Sequence, residues 1–338
     1  MQKPQPSIFQ AHPGPSSFFS GRSFTSDRHI SLVLLISLVS AFSLSGQQLS
    51  QRSPFSENSF IWNPAMTAPW DYWEMGVNYR QEWLGFQDAP RTATLQVQYP
   101  FERENMSLGG YFVHDNASPV TMNSASFAYA YRMQLDRRRG GRQLSLGLNA
   151  TLSHIYVNAL EIVTNDPDDA VLPAGENNKI SPNLGFGVFY TSYSKDEFER
   201  TFFFGGLAIN QVLPLSVILD DFGGSSNLMR ALHGNVILGT RIVNGDIYIQ
   251  PSAWVNYSAP NIVEANLNFK LEQQEAFWAG LNYSTTQTIG LQAGVILNND
   301  FTRDGTMRIG TAGTFNVGQF GKFRGMGFEF YLAYQFEM

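Results

Sequence analysis

The stretch Ala93–Tyr99 alternates without a break: Ala93, Leu95, Val97 and Tyr99 against Thr94, Gln96 and Gln98. Successive side chains of a β-strand point to opposite faces, so this segment as a strand has one apolar and one polar face. The segment before it behaves the same way, with Trp73, Met75, Val77 and Tyr79 alternating with Glu74, Gly76, Asn78 and Arg80. The link between them holds Gly85 and Pro90, both turn-forming residues. The pair reads as a β-hairpin, and the rest of the chain repeats its pattern.

About fourteen segments have this character, near residues 73–82, 92–100, 106–114, 122–135, 143–154, 183–193, 200–210, 234–243, 247–257, 262–271, 276–284, 287–297, 305–315 and 326–336. Most are close to the roughly 9–11 residues that a tilted strand needs to cross a bilayer. The segments 144–152, 263–271 and 328–336 are nearly ideal alternators; 200–210 and 305–315 are weaker.

The links between segments obey a parity. Every even-numbered link is short: 100–105, 136–142, 194–199, 244–246, 272–275 and 298–304. Asn244-Gly245 is the strongest of these turn signals, because both residues tolerate positive φ. The two long links, 156–182 and 211–233, are both odd. Short turns at one rim and long loops at the other is the arrangement of outer-membrane barrels, and a soluble sandwich has no reason to follow it. An even strand count also puts both ends of the barrel at the short-turn rim, the periplasmic one. In hydrocarbon an open sheet edge costs several kcal/mol per unpaired backbone group, about 4–8 on transfer scales, so the first and last strands are expected to pair. The predicted fold is an all-β, antiparallel, up-and-down transmembrane barrel of about 14 strands.

Composition supports this over its soluble competitors. Charged residues are only 15% and aromatics 14%, with 27 Phe and 14 Tyr, yet mean hydropathy is −0.17. A helical membrane protein would be far more apolar overall. A soluble β-sandwich or solenoid would carry more Lys and Glu on its outer face. The net charge of −6 gives no electrostatic case for nucleic acid. The chain has no Cys, which excludes disulfides, thiolate metal sites and cysteine nucleophiles.

Ahead of the strands the sequence divides in two. Residues 1–46 begin as a Pro/Ser/Gly-rich extension; Arg28 and His29 then precede an apolar run from Ile30 through Phe42, followed by Ser43, Ser45 and Gly46. Basic flank, short apolar core and small residues describe a cleaved secretory signal, and the run is short of the about 20 residues of a membrane-spanning helix. An N-terminal anchor is the weaker alternative. Residues 47–72 form a lead-in in which Pro64 and Pro69 argue against a strand, and Phe60, Trp62 and Trp70 argue for packing on something else. The lumen of the 73–338 barrel is open, or plugged by loops or by this lead-in.

Candidate chemistry is sparse. The inward faces carry Glu74, Arg80, Arg132, Arg241, Glu264, Lys270, Arg308 and Glu329, expected as a network of paired wall charges rather than a relay. His114, His154 and His233 fall near the long-loop rim, and His114 has Asp115 beside it and Ser118 nearby. No nucleophile–base–orienter set accompanies them, so no enzyme, metal or cofactor is expected. Asn165-Asp166-Pro167-Asp168-Asp169 lacks the spaced ligands and glycine of a calcium loop and reads as a solvated acidic loop. Arg137-Arg138-Arg139 reads as a soluble turn. Phe127, Tyr129, Tyr131, Tyr190, Tyr257, Tyr283, Tyr331 and Tyr334, near strand ends, suit interfacial aromatic girdles.

Asn63-Pro64-Ala65, Tyr79-Arg80-Gln81-Glu82-Trp83, Gly85-Phe86 and Ala89-Pro90-Arg91-Thr92 together resemble the N-terminal signature of the PorP/SprF family, outer-membrane proteins of the type IX secretion system in Bacteroidetes. Tyr129-Ala130-Tyr131, Leu144–Leu148, Pro251-Ser252, Phe277–Tyr283 and the last strand extend the similarity, while Asp88 stands where the family usually has glycine. The resemblance implies a non-enzymatic role in secretion or surface anchoring of cargo such as adhesins, the machinery associated with gliding motility. It implies outer-membrane lipids, periplasmic and lipoprotein secretion components and a large adhesin as partners. It makes Asn63, Pro64, Arg80, Trp83, Gly85, Phe86, Pro90 and Thr92 the candidate partner-binding positions. A passive porin or solute channel is the alternative reading.

Overall fold

The structure, a computed structural model, describes residues 59–70, 72–101, 103–136, 141–158, 176–192, 201–213, 216–219, 226–229, 232–258, 262–274, 276–298, 305–318 and 325–337. The expected export signal, the acidic loop at Asn165–Asp169 and the basic turn at Arg137–Arg139 lie outside the described residues.

Fourteen strands close into one antiparallel barrel. They are β1 Tyr72–Gln81, β2 Arg91–Phe101, β3 Met106–Ala117, β4 Val120–Gln134, β5 Gln143–Asn158, β6 Glu176–Thr191, β7 Thr201–Asn210, β10 His233–Asn244, β11 Ile247–Ser258, β12 Ile262–Gln273, β13 Phe277–Ser284, β14 Thr288–Leu297, β15 Gly305–Asn316 and β16 Met326–Glu337. Each pairs with its neighbours in sequence order, and β1 closes the ring on β16, from Tyr72 opposite Glu337 to Gln81 opposite Phe328. Closure removes the free edges that hydrocarbon cannot solvate.

The alternation read from the sequence sets the two faces. On β1, Glu74, Asn78 and Arg80 are buried in the lumen while Met75, Val77 and Tyr79 are exposed on the outside. Every barrel strand presents exposed large apolar side chains outward, among them Leu95, Phe112, Phe127, Leu146, Phe203, Leu238, Leu267, Leu291 and Phe328. Each such side chain is worth about 1.5–3 kcal/mol when withdrawn from water, so a full ring of them requires lipid around the barrel. Tyr331 departs from the expected girdle. It faces inward and is only 2% exposed, because inward and outward positions on β16 follow Glu329 and Phe328.

Two further corrections concern the long links. β6 starts at Glu176, seven residues before the expected 183, pairing with β5 as far as Asn158. Pro182 is tolerated inside this strand because β6 pairs with β7 only from Phe186 to Thr191. β4, β5 and β6 have 15 or 16 residues, more than a spanning strand needs, and so project beyond the membrane at the long-loop rim. There Ile155 and Val157 pack with Val120 and Met122. The link 211–233 is not featureless: β8 Ser216–Leu219 and β9 Ser226–Met229 pair as a small separate sheet.

Candidate functional site

The centre of the lumen is filled by the chain's own lead-in. Ser59–Ile61 and Pro64–Met66 are two short 3-10 turns. Phe60, Trp62, Asn63, Pro64, Ala65, Met66, Thr67 and Ala68 are all buried. Sequence explains the local shape. Proline at the first turn position fixes φ where no N–H is needed, and Asn63 caps the turn by accepting the Ala65 N–H at 2.9 Å. Thr67 donates its hydroxyl to the Pro64 carbonyl at 2.7 Å.

The wall receives this plug through polar and apolar contacts. Asn210 and Asn235 both donate side-chain N–H groups to the Trp62 carbonyl, at 2.6 and 2.7 Å. Asn63 donates to the Val188 carbonyl at 3.2 Å. Ala68 N–H donates to Gln98 Oε1 at 2.7 Å, and the Ser107 hydroxyl to the Ala68 carbonyl at 3.3 Å. A buried backbone without such partners would cost about 1–3 kcal/mol per group. Phe60, Trp62, Ala65 and Met66 form one apolar cluster with the inward-facing Ala128, Phe189, Ile237 and Trp254 of the wall. Trp62 meets Trp254 edge-on at 6.4 Å and Phe60 meets Tyr111 at 5.7 Å.

Glycine makes room for it. A Cβ on Gly147 would overlap the backbone of Pro64 and Ala65, and one on Gly187 would overlap the Asn63 side chain. On Gly206 it would lie 2.8 Å from Asn63 Nδ2, and on Gly109 2.8 Å from the Thr67 methyl. These wall positions were missed as functional in the sequence. The available signal was glycine at inward strand positions, which marks close approach of another backbone.

The eight signature positions do not form one site. Asn63 and Pro64 belong to the plug. Arg80 lies in the lumen wall, 2.9 Å from Glu82 and 3.9 Å from Glu329, which also accepts from Asn78 at 2.6 Å. Thr92 donates to Asp115 at 2.6 Å. Trp83, Gly85, Phe86 and Pro90 lie in the β1–β2 link at the long-loop rim. Trp83 and Phe86 are 44% and 52% exposed, and the link is closed by Glu82 N–H on the Pro90 carbonyl at 2.9 Å and Leu84 N–H on the Met326 carbonyl at 2.8 Å. Asp88 has φ +57°, the left-handed region where the family's glycine fits without strain.

The wall charges are held in several ways. Glu74 accepts from Gln96, Gln98 and Gln335 at 3.3, 3.1 and 2.7 Å. Glu264 accepts from Ser284 at 2.6 Å, and Arg132 reaches the Met106 carbonyl at 3.4 Å. Glu272, expected in a turn, is instead a buried wall residue. It takes a two-pronged contact from Arg308 at 2.9 and 2.6 Å, and Lys270 at 3.0 Å. β12 runs two residues further than expected, carrying Glu272 inward on the same face as Lys270.

The histidines sit on different strands. His114 contacts Asn123 Oδ1 at 2.7 Å and His154 contacts Asn178 Oδ1 at 3.1 Å. His233 lies between Gln211 and Ser258. Among the described residues no group of three or more His, Asp or Glu is placed to hold a metal ion, and no helix is long and apolar enough to cross a membrane.

A family model described as type IX secretion system membrane protein PorP/SprF matches residues 44–334. The chain belongs to the PorP/SprF family. With its closed barrel and apolar outer surface, this PorP/SprF member is an outer-membrane protein. Its structure is similar to that of the Pseudomonas putida toluene transporter TodX, at 10% identity and TM-score 0.49 over 88% of this chain and 96% of that one. It is also similar to the NanC porin, at 12% and 0.39 over 79% and 100%. A bacterial polysaccharide outer membrane secretin matches at 9% and 0.40 over 79% and 99%. No curated protein sequence matches the chain.

Proposed function

We propose that this barrel is a plugged outer-membrane component of type IX secretion that holds or anchors a secreted surface protein, such as an adhesin, and does not conduct solutes. The observation that carries the reading is the buried lead-in: Trp62, Asn63 and Ala68 are hydrogen-bonded to four wall side chains or carbonyls across the lumen. A general diffusion pore needs a water-filled path, and a self-filled lumen argues against one. Family membership supplies the secretion system; the plug supplies the reason for a scaffold rather than a pore. The exposed Trp83–Phe86 turn at the long-loop rim is the surface offered to a partner outside the cell, since large exposed aromatics are the residues that anchor interfaces. Periplasmic and lipoprotein components of the system would meet the opposite rim, where the chain enters β1 and leaves β16. The test is deletion in the producing cell. The reading expects loss of one surface protein with unchanged uptake of small solutes; altered uptake with an intact surface profile would replace it with the porin reading.

A further inference from the structure

The plug does not fill the lumen evenly. Between it and the wall is a cavity of about 80 Å³. Its polar lining comes from the ends of strands at the short-turn rim: Arg241 is three residues from the end of β10, Gln250 the fourth residue of β11 and Lys270 three from the end of β12. Plug residues Met66 and Trp70 form one side; Phe202, Phe204 and Trp254 form much of the other.

Arg241 is the unusual group. Its guanidinium lies 5.1 Å from the centre of the Trp70 ring and 4.3 Å from that of Tyr248, and its Nε–H donates to Gln250 Oε1 at 2.9 Å. Rings on the plug and on the wall therefore fix the head group in place. Among the described residues no carboxylate pairs with it. The nearby cations differ: Lys270 and Arg308 share Glu272. Lys270 and Arg308 are thus matched to a carboxylate, while Arg241, among the described residues, keeps its positive charge without one. Two further cavity-lining groups are incompletely used. Asn268 accepts from Asn282 with its oxygen, leaving its own N–H without a partner, and Gln292 Oε1 has none. Of the two, the Asn268 N–H is an uncommitted donor in the cavity lining that an anion can use.

We propose that this cavity binds a compact organic carboxylate with an apolar body. The carboxylate sits on the planar fork of Arg241 and within reach of the Asn268 amide, the geometry guanidinium groups serve best. The body lies against Trp70, Trp254 and Phe202. A bare phosphate or sulfate fits poorly, because the aromatic wall would leave its remaining oxygens without donors. The same chemistry comes from two sources: a free small acid, or the C-terminal carboxylate of a polypeptide whose last residue is aromatic. The site does not depend on the secretion role and is tested apart from it.

The experiment is calorimetric titration of the purified full chain in detergent micelles with N-acetylphenylalanine, N-acetylphenylalaninamide and the peptide acetyl-Gly-Gly-Gly-Phe with a free carboxyl end. The acid is expected to bind at least ten-fold more tightly than the amide. Arg241→Gln should abolish that preference, and Arg241→Lys should restore part of it, with unchanged heat-dependent gel mobility showing an intact barrel. Binding of acid and peptide alike assigns the site to chain ends; binding of the acid alone assigns it to small acids, and both support a carboxylate site. Equal binding of acid and amide, no binding of either, or acid binding indifferent to Arg241→Gln overturns it.

Discussion

Two residues in the same backbone region make opposite predictions. Asp88 and Gly245 both have positive φ, +57° and +61°. Side chains with a Cβ are strained there, less so for Asp than for others. Asp88→Gly is expected to stabilise the barrel by up to about 1 kcal/mol, and Gly245→Val to destabilise it by about 1–2 kcal/mol. Urea unfolding in lipid vesicles reads both; a loss of stability in Asp88→Gly would contradict the backbone assignment. Glu272 gives a larger effect. Glu272→Ala leaves Arg308 and Lys270 buried without their shared carboxylate, and removing one partner of such a pair costs about 3–5 kcal/mol. The same unfolding measurement should show the drop, and Glu272→Gln should recover part of it through the Arg308 hydrogen bonds. This role was hidden in the sequence because Glu272-Gln273-Gln274-Glu275 reads as a polar turn, and only pairing of Glu272 with Trp278 on β13 shows that the strand continues.

At the scale of elements, strands were legible and their seat for the plug was not. Strict alternation is a local signal, and it placed all fourteen barrel strands, including the weak segment that became β7 Thr201–Asn210. Link parity, also local, indicated which rim holds the turns. The plug is non-local: Asn63 meets wall residues more than a hundred positions away. Its three aromatics announced that the segment packs somewhere, but only the fold brings Gly147, Gly187 and Gly206 together beneath it. Gly147→Val tests the seat. The added side chain must displace Pro64 and Ala65, and overpacking of this kind costs about 1–3 kcal/mol. Strand pairing is untouched, so the barrel should keep its folded gel mobility while the lead-in becomes open to protease. A lead-in as resistant as before would place it elsewhere. β8 and β9 escaped notice because four-residue strands are too short for a periodic signal.

For the whole molecule, the outside and the inside carry different messages. The outer face is common to any protein that crosses the outer membrane with strands; lipid requires it. The inside is particular to this chain: an apolar cluster around Trp62 and Trp254 where a porin would hold water, and polar networks toward the rims. A lumen built this way is a folded core, and in the role proposed above the barrel would be a rigid support for whatever binds its rims. Single-channel recording in planar bilayers tests that claim most directly. The full-length protein should show no steady conductance, and Gly147→Val or removal of residues 59–70 should open a large one. Steady conductance from the unaltered protein, undiminished relative to the variant without the plug, would contradict the account.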